Sequence, residues 1–494
     1  MKLITFVQEK LTEHLPANSL RRRFAKGAFW SVAAAVASQG MRFLAFVIVA
    51  RILGKTGFGE LGMIQHTVSM FGVFAGLGLG LTATKHVAEF RSADPARAGR
   101  IIALSSVVAL ISGGLVGIAV FFASPYLAQH VINAPYLKME LWIGCGLLFF
   151  NTLVGAQVGC LAGFEAFKTI ARVGLFYGLL NLLLVVLGVH FWGLSGAITG
   201  MVCAMAGSCA AHHFALRKEA KKAGVAISYG DIRSEMPVLW GFSLPAFLSN
   251  AMVGPVVWGA NALLSNEVEG YAKLGIFSAA AQVQMALNLA GSRVGASLLP
   301  ILASREAKKS VKFNRANILI SWLIGVTVAV PLICFSEIMG LVFGSQYAGV
   351  TARRTFVLVM FYACIMLYKQ GLGRVLVANS LLWWSCLSNG MWAVVLLGSA
   401  WFLKGFGAVG LAGAFMIAYT LNTICFVPLY TSRRLAPRGT LISPEAITIW
   451  LVITALGCLS FFQFPLLVRA AAFIVSTVPL CIAFRRLFFG LREG

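Results

Sequence analysis

Apolar stretches of about 20 residues recur along this entire chain, and that is the length an α-helix needs to cross a hydrocarbon core of about 30 Å. A chain in lipid must satisfy its own backbone N–H and C=O groups, which leaves only helices and closed barrels. The runs are continuously apolar rather than alternating with period two, which speaks against a barrel. The fold class expected is therefore an all-α polytopic membrane protein of about fourteen transmembrane helices. The spans read as 27–49, 61–82, 101–123, 141–162, 173–191, 193–215, 237–262, 271–300, 317–335, 355–378, 381–402, 407–430, 445–462 and 466–484. Only 11% of the 494 residues are charged, against about a quarter in soluble domains.

The few charges test this reading. Arg21, Arg22, Arg23 and Lys26 precede a first span too long for a cleavable signal core and without a clear small-residue cleavage site. Leu3, Ile4, Val7, Leu11 and Leu15 recur at helical spacing, so the cytoplasmic tail 1–26 is expected to hold a short interfacial helix. With a cytoplasmic N-terminus and fourteen crossings, and with Lys273, Arg374 and Arg469 near span ends counted with the adjacent side, 29 of the 40 Lys and Arg fall on the cytoplasmic side, 8 on the other and 3 well inside spans. That asymmetry is the positive-inside pattern, and a miscounted span would spoil it. Both termini, including the tail 485–494, are thus expected in the cytoplasm. A net charge of +24 would suggest nucleic acid in a soluble chain. Here its placement in short loops points to the lipid bilayer instead, and no nucleic-acid partner is expected.

The chain also repeats itself. Phe58-Gly-Glu-Leu-Gly-Met63 opens the second span and Tyr271-Ala-Lys-Leu-Gly-Ile276 the eighth, 213 residues later. Trp192-Gly-Leu-Ser-Gly-Ala197 matches Val409-Gly-Leu-Ala-Gly-Ala414 at an offset of 217. Six spans per copy is an even number, so both halves share one orientation, with a symmetry axis along the membrane normal. The expected organisation is an N-lobe 27–215, a cytoplasmic linker 216–236, a C-lobe 237–430 around a central cleft, and two further helices, 445–484.

Within the spans the notable residues are three cations: Arg42, Arg293 and Lys369. All sixteen acidic residues lie in connections, at span ends or in tails. An intramembrane charge costs about 3 kcal/mol or more, and these three have no membrane carboxylate to pair with, so an external anion is the simplest partner. Arg42 lies nine residues before Arg51, about 13 Å by helical rise, which makes snorkelling to that end difficult. Ser31, Ser38 and Arg42 share a helical face, with Gln39 beside them. Gln282 shares a face with Arg293, with Gln284 and Asn288 in a second polar row. Asn250 and Asn261 occupy span 7, the repeat counterpart of span 1, and Tyr362, Lys369 and Gly373 form a stripe in span 10. Ser38, Gln39, Asn250, Asn261, Gln282 and Gln284 are candidate cleft-lining residues, with interhelical hydrogen bonding as the competing role.

His66, the only histidine well inside a span, is a candidate for proton coupling, against the commoner role of a packing histidine. Pro245 and Pro255 predict a kink in span 7. Gly72, Gly76 and Gly80 predict close helix packing. The ten cysteines show no CxxC pair or metal-ligand spacing and read as small core residues. Glu267 and Glu269 could serve a membrane glycosyltransferase, but without a soluble domain they read as a solvated loop.

Lys26-Gly-Ala-Phe-Trp-Ser31, Ala50-Arg-Ile-Leu-Gly54, Phe58-Gly59, and Phe74-Ala-Gly-Leu-Gly-Leu-Gly80 leading to Thr84-Lys-His-Val-Ala-Glu89 form a further pattern. It resembles the polysaccharide biosynthesis (Wzx-like) flippases of the multidrug/oligosaccharidyl-lipid/polysaccharide exporter superfamily. The resemblance implies two six-helix lobes in a bacterial inner membrane. It implies transfer of an undecaprenyl-diphosphate-linked oligosaccharide, such as an O-antigen or exopolysaccharide repeat unit, from the cytoplasmic to the periplasmic leaflet. It also implies polysaccharide polymerases and glycosyltransferases as partners, and no cofactor beyond a proton or sodium gradient. Fourteen spans is similar to the lipid II flippase branch, in which arginines of spans 1 and 8 hold diphosphate. That carries the role to Arg42 and Arg293, while Lys369 has no counterpart. A multidrug antiporter would be expected to hold membrane carboxylates, and a glycan polymerase or ligase larger loops.

Overall fold

A computed structural model of the chain describes residues 20–238, 243, 247, 251–296, 311–378, 381–433, 435–437 and 439–489. Its principal helices are α1 (Leu20–Gly76), α2 (Leu79–Phe90), α3 (Pro95–Tyr126), α4 (Lys138–Gly163), α5 (Phe167–Lys222), α6 (Val253–Ser265) and α7 (Gly270–Ala296). These continue as α8 (Val311–Cys334), α9 (Ile338–Phe343), α10 (Val350–Ala378), α11 (Leu382–Leu403), α12 (Gly407–Ser432), α13 (Pro444–Phe461) and α14 (Leu466–Phe489). No strand occurs among the described residues, so the all-α expectation is met.

Nine helical stretches among the described residues are long and apolar enough to cross a membrane, and three of them run to 41, 56 and 50 residues. At 1.5 Å per residue the longest would exceed twice a bilayer core if straight. Each is instead broken at a glycine. The breaks are Gly54 (φ 67°, ψ −176°) in α1, Gly193 (φ 56°, ψ −134°) in α5, and Gly407 (φ 63°, ψ −135°) between α11 and α12. Positive φ with such ψ is open essentially to glycine alone. Each long stretch is therefore two crossings joined by a tight reversal. The total of fourteen is not fixed by the described residues, because much of span 7 lies outside them.

The reversals correct one register. Gly193 and Gly407 share nearly the same φ and ψ, and each follows an aromatic residue, Trp192 and Phe406. Three residues on, Gly196 and Gly410 each lie so close to the preceding helix that a Cβ would come 2.0 Å from a carbonyl oxygen, of Gly188 and Leu403 respectively. Gly193 thus corresponds to Gly407, an offset of 214 rather than 217 and one that agrees with the 213 of the other motif. A short Gly-rich string matches itself in more than one register, and backbone geometry selects among them. The glycine row in span 2 is also revised. A Cβ on Gly72 or Gly76 would meet nothing within 4 Å, whereas one on Gly80 would lie 3.0 Å from the Gly155 carbonyl.

The chain divides into two compact units. The first takes the described residues up to Ala45, then Thr67–His130 and Ala134–Ala251. Its core joins α2, α3, α4 and α5 through Val87, Ile101, Ile102, Leu161 and Leu216, all nearly inaccessible. The connection after α5 belongs to this core, since Val225 is buried in it. Arg97 (3.0 Å) and Arg100 (3.1 Å) then pair with the buried Glu235.

The second unit takes Phe46–His66, Val131–Asn133 and the residues from Met252 onward. Trp322, Tyr368 and Trp450 cluster between α8, α10 and α13, and Tyr362 stacks on Phe415 and Tyr419 of α12. The α13–α14 pair is fastened by Arg469, which is 4% exposed. Its guanidinium donates to Cys334 O at 2.8 Å and Phe464 O at 3.0 Å, and pairs with the Glu337 carboxylate.

Candidate functional site

The first candidate cation sits on a face determined by its helix. Four residues separate Ser38 from Arg42, so both point the same way from α1. That face meets α5. Ser38 Oγ donates to Gly174 O at 2.8 Å, and the Arg42 guanidinium lies 5.7 Å from the centre of the Tyr177 ring. Gly178, one turn after Gly174, permits the approach, since a Cβ there would stand 3.0 Å from the Ser38 backbone. Arg42 is half-buried, and no carboxylate pairs with it among the described residues. An aromatic face gives a guanidinium about 0.5–2 kcal/mol and leaves its N–H edge free to bind an anion. Gln39 is half-buried beside it.

The second cation has a different environment. Lys369, half-buried on α10, donates from Nζ to Asn422 Oδ1 on α12. Asn422 is fixed in turn by Ser388 of α11, whose Oγ donates to Oδ1 at 3.1 Å and whose carbonyl accepts from Nδ2 at 2.7 Å. The half-buried amine is thereby held by a neutral amide, and no carboxylate pairs with it among the described residues. Five residues on, Arg374 donates to Asn317 Oδ1 and Asn317 O, both at 2.7 Å, and to Ser321 Oγ at 3.2 Å. Sequence reading passed over Asn422, Ser388 and Arg374. The available signal was an Asn in the middle of an otherwise apolar span.

The third cation, Arg293, lies on α7, and its side chain is outside the described residues, as is Asn250 altogether. Gln284 and Asn288 turn toward α10, where both amides lie 3.5 Å from Met366 Sδ. Gln282 is half-buried. Asn261 is fully buried and donates to Val257 O of its own helix at 2.7 Å. His66 is half-buried on α1. The second unit thus brings Lys369 together with Asn422 and Ser388, while Ser38 and Arg42 come together in the first.

The repeated motifs also meet. A Cβ on Gly59 would come 1.9 Å from Tyr271 O, and a Cβ on Gly275 would come 1.8 Å from Lys55 O. Arg51 caps this seam by donating to Leu341 O at 2.6 Å and Val342 O at 2.9 Å. Tyr271 donates from its hydroxyl to Ile132 O at 2.7 Å.

Residues 24–306 match the family described as polysaccharide biosynthesis protein. A protein of Escherichia coli (strain K12) named lipid III flippase is 24% identical over 139 residues, which are 27% of this chain and 33% of that protein. Its counterpart from Shigella flexneri gives the same figures. The chain thus aligns with about a third of the length of these relatives. Among solved structures, one titled lipid II flippase MurJ, inward closed conformation, superposes with a TM-score of 0.66 at 14% identity, covering 94% of this chain and 99% of that one. An inward-facing multidrug resistance MATE family transporter of the MOP superfamily superposes with a TM-score of 0.61 at 15% identity, covering 83% and 98%. At such identities the likeness establishes the fold.

Proposed function

The chain belongs to the polysaccharide biosynthesis protein family, and from that premise we propose that it is a flippase for an undecaprenyl-diphosphate-linked oligosaccharide, such as an O-antigen or exopolysaccharide repeat unit. It moves this lipid from the cytoplasmic to the periplasmic leaflet of a bacterial inner membrane by alternating access, with both termini in the cytoplasm. It performs transport and no bond-making chemistry. The observation that carries this reading is a set of intramembrane cations with no carboxylate inside the spans. Arg42 rests on a ring with its N–H edge open, and Lys369 donates to the neutral amide oxygen of Asn422. A diphosphate entering such surroundings meets charges that are weakly screened and strongly attractive. Arg293 completes the set on α7. Polysaccharide polymerase and glycosyltransferases supply and consume the cargo, and a proton or sodium gradient drives the cycle, with His66 as its titrating group in the proton case.

A drug-exporting role is the second reading, and the solved MATE structures share the fold. A membrane without carboxylates is a poor host for cationic drugs, which favours the anionic cargo. The test is surface glycan in a strain dependent on this protein. Arg42→Ala is expected to cut export at least about tenfold, since a charge-assisted hydrogen bond contributes about 1.5–3 kcal/mol, with partial recovery in Arg42→Lys. Full export at equal protein level overturns the role of Arg42. Drug sensitivity with unchanged glycan in a deletion strain overturns the flippase reading.

A further inference from the structure

The segment after α5 builds an open cleft of about 430 Å³ against the end of that helix, lined by Arg217, Lys221, Gly224, Val225, Ile227 and Tyr229 among others. We propose that this cleft binds the headgroup of an anionic phospholipid, and that the connection between the two repeats is a docked lipid-binding wall rather than a loose tether.

The wall is prearranged. α5 ends in a paired hydrogen-bond closure, in which Gly224 (φ 69°) donates to Lys221 O at 3.2 Å and Val225 donates to Ala220 O at 2.9 Å. These bonds occupy two of the terminal carbonyls that would otherwise repel an anion. Val225 is then buried in the core of the first unit with Ile227 packed against it. At Gly99 a Cβ would come 1.9 Å from Ala226 O, so α3 and the wall touch backbone to backbone. Beyond the cleft, Glu235 is clamped by Arg97 and Arg100.

The charge in the cleft is one-sided. Arg217 and Lys221 are four residues apart on one helical face, both exposed, and neither has a carboxylate partner among the described residues. Like charges at that spacing repel one another, and an anion between them removes the repulsion. Glu219, the nearest acid on the helix, is committed to Lys222 (2.9 Å) and Thr169 (2.9 Å). No acidic residue lines the cleft, and the exposed Tyr229 adds a hydroxyl donor. The volume is of the size that holds small ligands. Phe214, 70% exposed and one turn earlier on α5, marks where the lipid-facing surface gives way to the basic end. A headgroup phosphate at that boundary, with its chains running beside Phe214, fits the arrangement.

The experiment uses the purified full-length protein in mixed micelles, titrated with phosphatidylglycerol, phosphatidylcholine or inorganic phosphate. Lipid retention is read by native mass spectrometry and thermal midpoint. Phosphatidylglycerol is expected to bind in preference to phosphatidylcholine. Each of Arg217→Gln and Lys221→Gln is expected to weaken it about fivefold, from the attraction of one cation near an anionic surface. Lys221→Arg and Lys218→Gln, the latter exposed and outside the cleft lining, are expected to stay within about twofold. Should either Gln variant fold poorly, Tyr229→Glu at this exposed position puts a carboxylate in the cleft and is expected to give the same loss. Equal binding of the two lipids, or undiminished phosphatidylglycerol binding in the Gln and Glu variants, overturns the proposal. Equal protection by inorganic phosphate also overturns it, by making this a site for free anions.

Discussion

Gly59 and Gly275 face each other across a seam in which neither can carry a side chain. A Cβ on Gly59 would lie 2.8 Å from Gly275 N, and one on Gly275 would lie 3.1 Å from Gly59 N. The two glycines come from the two copies of the repeated motif, so the copies pack reciprocally, as related surfaces do about a two-fold axis.

Gly59→Ala and Gly275→Ala are each expected to prise this seam apart, because the obstructing atoms are backbone and cannot rotate away. Overpacking of this kind costs about 1–3 kcal/mol. The thermal midpoint in detergent should fall for either variant, and a cysteine pair at Arg51 and Leu341 should cross-link more slowly. Gly72→Ala is expected to change neither, since that position faces open space.

The Lys369–Asn422 contact makes a separate prediction. Asn422→Ala removes the acceptor of a half-buried ammonium, and leaving a charged group unsatisfied costs about 1–3 kcal/mol or more. Lys369→Met in the same background is expected to restore much of that stability, because the charge is gone. A double-mutant cycle on the thermal midpoint measures this. Additive losses would show that the two residues are uncoupled. If the proposed role holds, the stable double variant should still fail to export glycan.

A third prediction concerns acid. Burial raises the Glu337 carboxyl pKa, but hydrogen bonds from Arg469, its own backbone and Arg353, with the Arg469 charge, outweigh burial and leave it below the usual value. A depressed carboxylate contributes stability in full above its unfolded value, about 4.3, and loses it as the pH falls through the folded value. The attachment of α13 and α14 should therefore hold at neutral pH and weaken below about pH 4. Glu337→Gln should flatten that acid limb, read as thermal midpoint against pH. An unchanged acid limb would place the titration elsewhere.

Much of the fold could be read from apolar length and charge bias, because both express the cost of polar groups in lipid. Gly193 and Gly407 were visible as repeated glycines, yet their correspondence was misread by three residues. Composition is degenerate along a Gly-rich stretch, and only φ and ψ distinguish the residue that turns the chain. Gln284 and Asn288 read as one polar row, with cleft lining weighed against interhelical hydrogen bonding for Gln284, and their amides lie against the Met366 sulfur of α10. Periodicity tells which residues share a face and says nothing of what the face meets.

By itself the sequence determined that this chain is helical, crosses a membrane many times, repeats internally and carries cations without carboxylates inside its spans. Each follows from local composition, since desolvation acts on every residue wherever its neighbours lie. The tertiary structure alone decided the partners: Tyr177 beneath Arg42, Asn422 against Lys369 with Ser388 holding that amide, and Lys55 O against Gly275. The pairs are 34 (Ser388–Asn422), 53 (Lys369–Asn422), 135 (Arg42–Tyr177) and 220 (Lys55–Gly275) residues apart. Separations of that size are set by how helices pack, and no local pattern encodes them.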